Sequence, residues 1–284
     1  MADPYSAKPW LKFYDKHVPP NLEYPEKTYL AYFREAVKSV PRKVAVYYMG
    51  RGITFYELDR LSDKLACFLQ RAGMQPGDTV GVHIPNLPAY YIAIIGICKA
   101  GCVLSGVSPL LQPKELEYQL NDSDARCLVT LDIFYEKVAA VREKTGVKTV
   151  VVTQIADFLP PVKKLLGKLL KKIPAASITP QPAKKVYGFR QILNDMPADK
   201  IEVKRNFKDA MLMQYTGGTT GLPKGALLTG KNISDHLRQI QVWLDLKVGD
   251  YFDSIDIAIT GIKTAFEHNN IEMPYPIQTV LLEK

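Results

Sequence analysis

Apolar positions along this chain follow two alternating rhythms. Leu58, Leu61, Leu65 and Leu69 recur at helical spacing, whereas Val44 to Tyr48, Thr79 to Ile84 and Thr149 to Thr153 are short continuous runs rich in valine. Runs of the second kind are typical of strands buried on both faces. The pattern predicts one short helix near Tyr29 to Ser39 and a strand at Val44 to Tyr48, with Arg51-Gly52 turning the chain into Ile53-Thr54. Thr54 can cap a helix running to about Ala72 and closed by Gly73. Pro76-Gly77-Asp78 then leads into the strand Thr79 to Ile84, a helix ending near Lys99-Ala100-Gly101, and an apolar run from Cys102 to Val107. The same order repeats in the helix Pro113 to Leu120, the strand Arg126 to Thr130, the helix Ile133 to Lys144 and the strand Thr149 to Thr153. Alternation of this kind predicts the α/β class, with a mostly parallel sheet flanked by helices on both faces.

Residues 160 to 185 break that rhythm with prolines at 160, 161, 174, 180 and 182. Within them Val162, Leu165, Leu166, Leu169, Leu170 and Ile173 fall at i, i+3, i+4, i+7, i+8 and i+11, and Lys163, Lys164, Lys168, Lys171 and Lys172 take the opposite face. This predicts a cationic amphipathic helix despite Gly167. Two readings stay open: a membrane-surface helix, where each lysine near an anionic leaflet contributes about 1 kcal/mol, or a solvated lysine face over ordinary core leucines. Beyond it, Phe189 to Asn194 reads as helical and Asp209 to Tyr215 as a strand.

The net charge of +8, from 37 basic and 29 acidic residues, changes the picture less than its size suggests. Five of the eight surplus charges lie in that one lysine-rich segment, so the remainder is not a nucleic-acid surface. The apolar stretch Ala89 to Cys98 is well short of the roughly 20 residues needed to span a bilayer. Met1 to Ser6 has neither the basic nor the apolar part of a secretory signal. The expected location is therefore cytoplasmic, with peripheral contact at the inner face of the membrane if the lysine-rich helix docks there. Cys67, Cys98, Cys102 and Cys127 are too few for a disulfide scaffold and lack zinc-ribbon spacing. His17, His83, His236 and His268 form no metal cluster, so no metal-ligating residue is assigned. No G-x-S-x-G elbow is present, which removes the support for a serine hydrolase.

The segment Tyr215-Thr216-Gly217-Gly218-Thr219-Thr220-Gly221-Leu222-Pro223-Lys224-Gly225 sets glycines, threonines and a lysine between two apolar runs. Glycines let successive N–H groups point into one concavity, threonine hydroxyls add donors, and lysine adds a mobile positive charge. That is equipment for gripping a polyphosphate. The lysine follows proline and precedes glycine, so this is not a Walker A loop. Ala226 to Thr229 reads as a strand, so the loop joins two strands and has no helix N-terminus to offer.

Segment 215–225 resembles the phosphate-binding signature of the adenylate-forming, AMP-binding family, which includes acyl-CoA synthetases. Ile53-Thr54-Phe55-Tyr56-Glu57-Leu58, Pro76-Gly77-Asp78-x-Val80, and Lys99-Ala100-Gly101 followed by Pro109 resemble further landmarks of that family, in order. The resemblance implies an incomplete N-terminal adenylate-forming domain over 1–250. It also implies a two-step reaction in which a carboxylate attacks the α-phosphate of ATP and coenzyme A then displaces AMP. Thr216, Gly217, Gly218, Thr219, Thr220, Gly221 and Lys224 would hold the ATP phosphates, with Mg2+ sharing the charge. A long-chain fatty acid is the expected partner beside coenzyme A, because a membrane-docking helix suits a substrate drawn from lipid. The family's aromatic-Gly-x-Thr-Glu, ribose-binding and adenylation-lysine motifs are not found after residue 225, so no catalytic residue is assigned. The 284-residue chain is expected to be truncated and inactive. The alternative is an inert nucleotide- or membrane-binding fragment. Residues 251–284, with Ile255, Ala258, Ile259 and Ile262 at helical spacing and Pro274 and Pro276 beyond, resemble the end of small mechanosensitive channel proteins. A fusion or artefactual junction is expected near Asp250.

Overall fold

The computed structural model describes residues 6–170, 173–216 and 222–245, without the side chain of Lys168. They fall into two units, one of residues 24–236 and one of 6–23 with 237–245. The larger unit opens with α1 (Tyr29–Ser39), capped by the Thr28 side chain, and a hairpin of β1 (Val44–Tyr48) and β2 (Arg51–Thr54). The turn of this hairpin is Met49-Gly50, both at positive φ, rather than the expected Arg51-Gly52, which pairs in β2. Two consecutive positive φ values give the turn whose twist matches that of the strands.

Helix α2 (Phe55–Arg71) starts where its sequence says it should. Thr54 Oγ accepts from Glu57 N at 3.2 Å, and Glu57 Oε2 accepts from Thr54 N at 2.8 Å, so two otherwise orphaned donors are satisfied reciprocally. The main sheet follows: β3 (Thr79–His83), α3 (Pro88–Lys99), β4 (Val103–Gly106), α4 (Pro113–Asp122), β5 (Ala125–Leu131), α5 (Tyr135–Arg142) and β6 (Thr149–Thr153). The expected helix Ile133 to Lys144 begins as a 3-10 turn at Asp132–Phe134 and only then becomes α5. After α6 (Pro161–Leu169) come β7 (Val186–Gly188), α7 (Phe189–Asp195), β8 (Ala210–Thr216), β9 (Lys224–Thr229) and α8 (Gly230–Trp243).

The strand order is β7-β6-β5-β3-β4-β8-β9, parallel throughout except for the antiparallel β8–β9 pair. Successive side chains of a strand point to opposite faces, and β5 shows the result. Cys127, Val129 and Leu131 join the core under α2, α3 and α7, whereas Leu128 joins Leu116, Leu120, Val138 and Val141 under α4 and α5. The α2–α3 contact is close because Gly96 has no side chain: a Cβ there would lie 3.0 Å from Ser62 O and 3.1 Å from Leu65.

Lys99 closes the same contact electrostatically. It is 3% exposed, and its Nζ donates to Asp59 Oδ1 and Asp63 Oδ1, each at 2.6 Å, and to Asp59 O at 2.8 Å. The Lys-Ala-Gly landmark therefore carries a buried ion cluster between α2 and α3. Burial pushes the Asp63 carboxyl upward, and Lys99 opposes it.

In the smaller unit, a 3-10 turn at Pro9–Phe13 precedes Tyr14, whose ring meets Trp243 edge-on at 5.0 Å. His17 Nε2 lies 3.2 Å from Trp243 O.

Candidate functional site

The expected phosphate-binding segment sits on the β8–β9 hairpin. β8 runs parallel to β4, with Leu104 opposite Leu212 and Ser105 opposite Met213, so its far end points the same way as the carboxyl ends of β3, β5 and β6. Open parallel sheets bind ligands beyond that edge. Thr216 and Lys224 are ladder partners and both are exposed. Partners directly opposite each other in an antiparallel pair project to the same face, so a hydroxyl and an ammonium flank the mouth of the loop together. Gly217, Gly218, Thr219, Thr220 and Gly221 lie outside the described residues.

Helix α4 holds both feet of this loop. Tyr118 Oη donates to Pro223 O at 3.1 Å on the exit side, and Tyr215 Oη donates to Asp122 Oδ2 at 2.5 Å on the entry side. Burial, then the hydrogen bond to Asp122, push the Tyr215 phenol upward, so it remains a protonated donor. Gly225 stands opposite Tyr215, and a Cβ there would come within 3.0 Å of both the Tyr215 ring and Met213. The glycine after Lys224 thus leaves room for the tyrosine to reach α4. Helix α4 is itself fixed to the strand it follows, because Gln119 Nε2 donates to Gly106 O at 2.7 Å. Tyr118 and Asp122 were missed in the sequence, since they lie 105 and 93 residues from their partners and no spacing signals such a contact.

Farther along the same edge, His83 and Thr130 are ladder partners at the ends of β3 and β5. His83 is fully buried, with Nδ1 3.0 Å from Thr130 Oγ and its ring 5.2 Å from Phe134. Its Nε2 has no hydrogen-bond partner among the described residues. Burial, followed by the charge of Lys137, lowers its pKa to about 4, with the Ser108 backbone pulling the other way. It is therefore a neutral core histidine at pH 7.

Cys67, Cys102 and Cys127 are buried and Cys98 is partly so, all four as free thiols. Burial pushes Cys98, Cys102 and Cys127 up to about 12, which makes them poor nucleophiles. Among the described residues no three His, Cys, Asp or Glu side chains converge on a point that could hold a metal ion.

The lysine-rich segment departs from one of its two expectations. Val162, Leu165, Leu166, Leu169 and Leu170 are all exposed, at 48 to 76%, so these leucines are not core. Helix α6 ends at Leu169, and Ile173 lies beyond it, folded back against Gly167. Lys163 is exposed and Lys164 half-buried, whereas Lys171 and Lys172 lie outside the described residues, as does the whole expected tail 251–284.

A family model for AMP-binding enzymes matches residues 33–268. The chain is 32% identical over 247 residues to a long-chain-fatty-acid–CoA ligase of Bacillus subtilis, covering 86% of this chain and 44% of that protein. It is 34% identical over 240 residues to the corresponding ligase of Salmonella typhimurium, covering 82% and 42%. Among solved structures, a long-chain-fatty-acid–CoA ligase from Archaeoglobus fulgidus superposes with a TM-score of 0.64 at 27% identity, over 82% of this chain and 43% of that one. The chain thus spans less than half the length of the relatives it matches.

Proposed function

The chain belongs to the family of AMP-binding enzymes, and from that premise we propose that it supplies the ATP-phosphate site of a ligase joining a long-chain fatty acid to coenzyme A. The observation that carries the proposal is the β8–β9 hairpin, which sets Thr216 and Lys224 side by side at the carboxyl edge of the sheet. The choice of a long-chain acid follows the ligases of Bacillus and Salmonella to which the chain is similar.

In the proposed reaction, a carboxylate oxygen of the fatty acid attacks the α-phosphorus of ATP. The bond to the bridging oxygen breaks, giving an acyl-adenylate and pyrophosphate. The coenzyme A thiolate then attacks the acyl carbon and AMP leaves. Negative charge grows on the departing pyrophosphate, and the Lys224 ammonium with the Thr216 hydroxyl would stabilise it from fixed positions. Tyr118 and Asp122 act through the hairpin, as positioning residues. Magnesium, when bound, adds charge neutralisation, but no residue described here is assigned to hold it.

The chain contains no aromatic-Gly-x-Thr-Glu sequence. We therefore expect the 284-residue polypeptide to bind ATP without turning it over. The test pairs calorimetric ATP binding with pyrophosphate exchange in the presence of palmitate. The expected result is binding that Lys224→Ala weakens roughly tenfold, as for loss of one charge-assisted contact, and no exchange. Robust exchange would show the chain to be a complete catalyst of adenylation. Binding indifferent to both Thr216→Ala and Lys224→Ala would remove the hairpin as the phosphate site.

A further inference from the structure

Helix α6 presents an apolar face to the outside. Val162, Leu165, Leu166, Leu169 and Leu170 lie within an arc of about 140° at 100° per residue. Leu165 and Leu169 are 70 and 76% exposed. Isolated exposed leucines need no explanation, but one valine and four leucines along one face of α6 and the residue that follows it form a patch of the kind that marks an interaction surface. The helix is held in this posture from both sides. Lys163 Nζ donates to Met49 O at 3.0 Å, next to the 57% exposed Met49 side chain, and the returning chain is tied down where Ala176 N donates to Asp132 Oδ2 at 3.0 Å.

The charge of the sequence stretch that carries this face specifies the partner. From Phe158 to Asn194 the sequence holds eight lysines and arginines and no aspartate or glutamate. An apolar strip set in an uninterrupted cationic stretch is complementary to a surface that is anionic on the outside and hydrocarbon beneath. A helix of nine residues is about 14 Å long and cannot cross a hydrocarbon core of about 30 Å, so it lies in the interface. We infer that α6 is a docking surface for an anionic lipid bilayer, its leucines entering the acyl-chain boundary and Lys163 and Lys164 meeting the headgroups.

The inference rests on this face alone and needs neither nucleotide nor turnover, so its failure and that of the ligase proposal are separable. The test is flotation of the full 284-residue chain with vesicles of equal phosphatidylglycerol and phosphatidylcholine, and with vesicles of phosphatidylcholine alone. Binding to the anionic vesicles is expected, and weak binding to the neutral ones. Leu165→Gln with Leu169→Gln should reduce it by at least about tenfold, from the apolar area no longer buried. Lys163→Gln with Lys164→Gln should reduce it about fivefold per lysine, with a matching loss at high salt. Circular dichroism identical to wild type confirms that the variants fold. Absence of wild-type binding overturns the inference, as does binding that the leucine pair leaves unchanged. Concentration-dependent dimers, abolished by the leucine pair and unaccompanied by vesicle binding, would assign the face to a second copy of the chain instead.

Discussion

Acid sensitivity should be traceable to His83. The ring is fully buried at the end of β3, with Nδ1 3.0 Å from Thr130 Oγ, and its pKa falls from an ordinary 6.5 to about 4 chiefly through burial. A depressed folded-state pKa means that the unfolded chain takes up a proton first as the pH falls. The stability held by neutral His83 is therefore fully present above pH 6.5 and is lost as the pH drops through about 4. Within that window the loss is about 1.4 kcal/mol per pH unit, or roughly 2 kcal/mol between pH 7.5 and 5 and about 3 kcal/mol once the ring is protonated in both states. Carboxylates titrate in the same range, so the measurement is a difference. Urea unfolding of the wild type and of His83→Gln is followed by fluorescence at pH 7.5 and pH 5. The variant will be less stable at pH 7.5, but its stability should fall by about 2 kcal/mol less on going to pH 5. Parallel pH dependences in the two proteins would refute the reasoning, because they would mean that His83 takes up its proton equally in both states.

Three further outcomes are expected. Tyr215→Phe and Asp122→Asn each weaken a hydrogen bond to a charged group worth about 1.5–3 kcal/mol, so amide exchange in β8 and β9 should quicken by tenfold or more in Tyr215→Phe while β3 and β5 are unaffected. Unchanged exchange in the hairpin would show that α4 does not hold it. Lys99→Met leaves Asp59 and Asp63 as uncompensated carboxylates and should cost about 3–5 kcal/mol at neutral pH, a large part of it recovered by adding Asp63→Asn. A double variant no more stable than the single one would mean that the loss is one of packing. Thr54→Ala should cost about 1 kcal/mol and Thr54→Ser very little, as read from urea midpoints; equal effects would discount the capping hydroxyl.

The sequence by itself determined the elements whose causes are local. Thr54 and Glu57 cap α2 across three residues, valine runs make the central strands, and the glycine-rich segment with Lys224 announces a loop between two strands, which the β8–β9 ladder bears out. Register along these elements needs only side-chain period and backbone hydrogen bonding, and both are written into neighbouring positions. Strand order was decided in three dimensions: β8, formed after more than a hundred intervening residues, pairs with β4 and not with β7, and so carries the loop to the same edge as β3 and β5. The supports of the loop are also tertiary, because Tyr118 and Asp122 belong to an amphipathic helix whose sequence looks the same with or without a partner. The lysine-rich helix shows the limit most plainly. Its periodicity fixed which side chains share a face, but periodicity is blind to what that face meets. Only the packed fold, by leaving Leu165 and Leu169 in the open, decided that the leucines point outward.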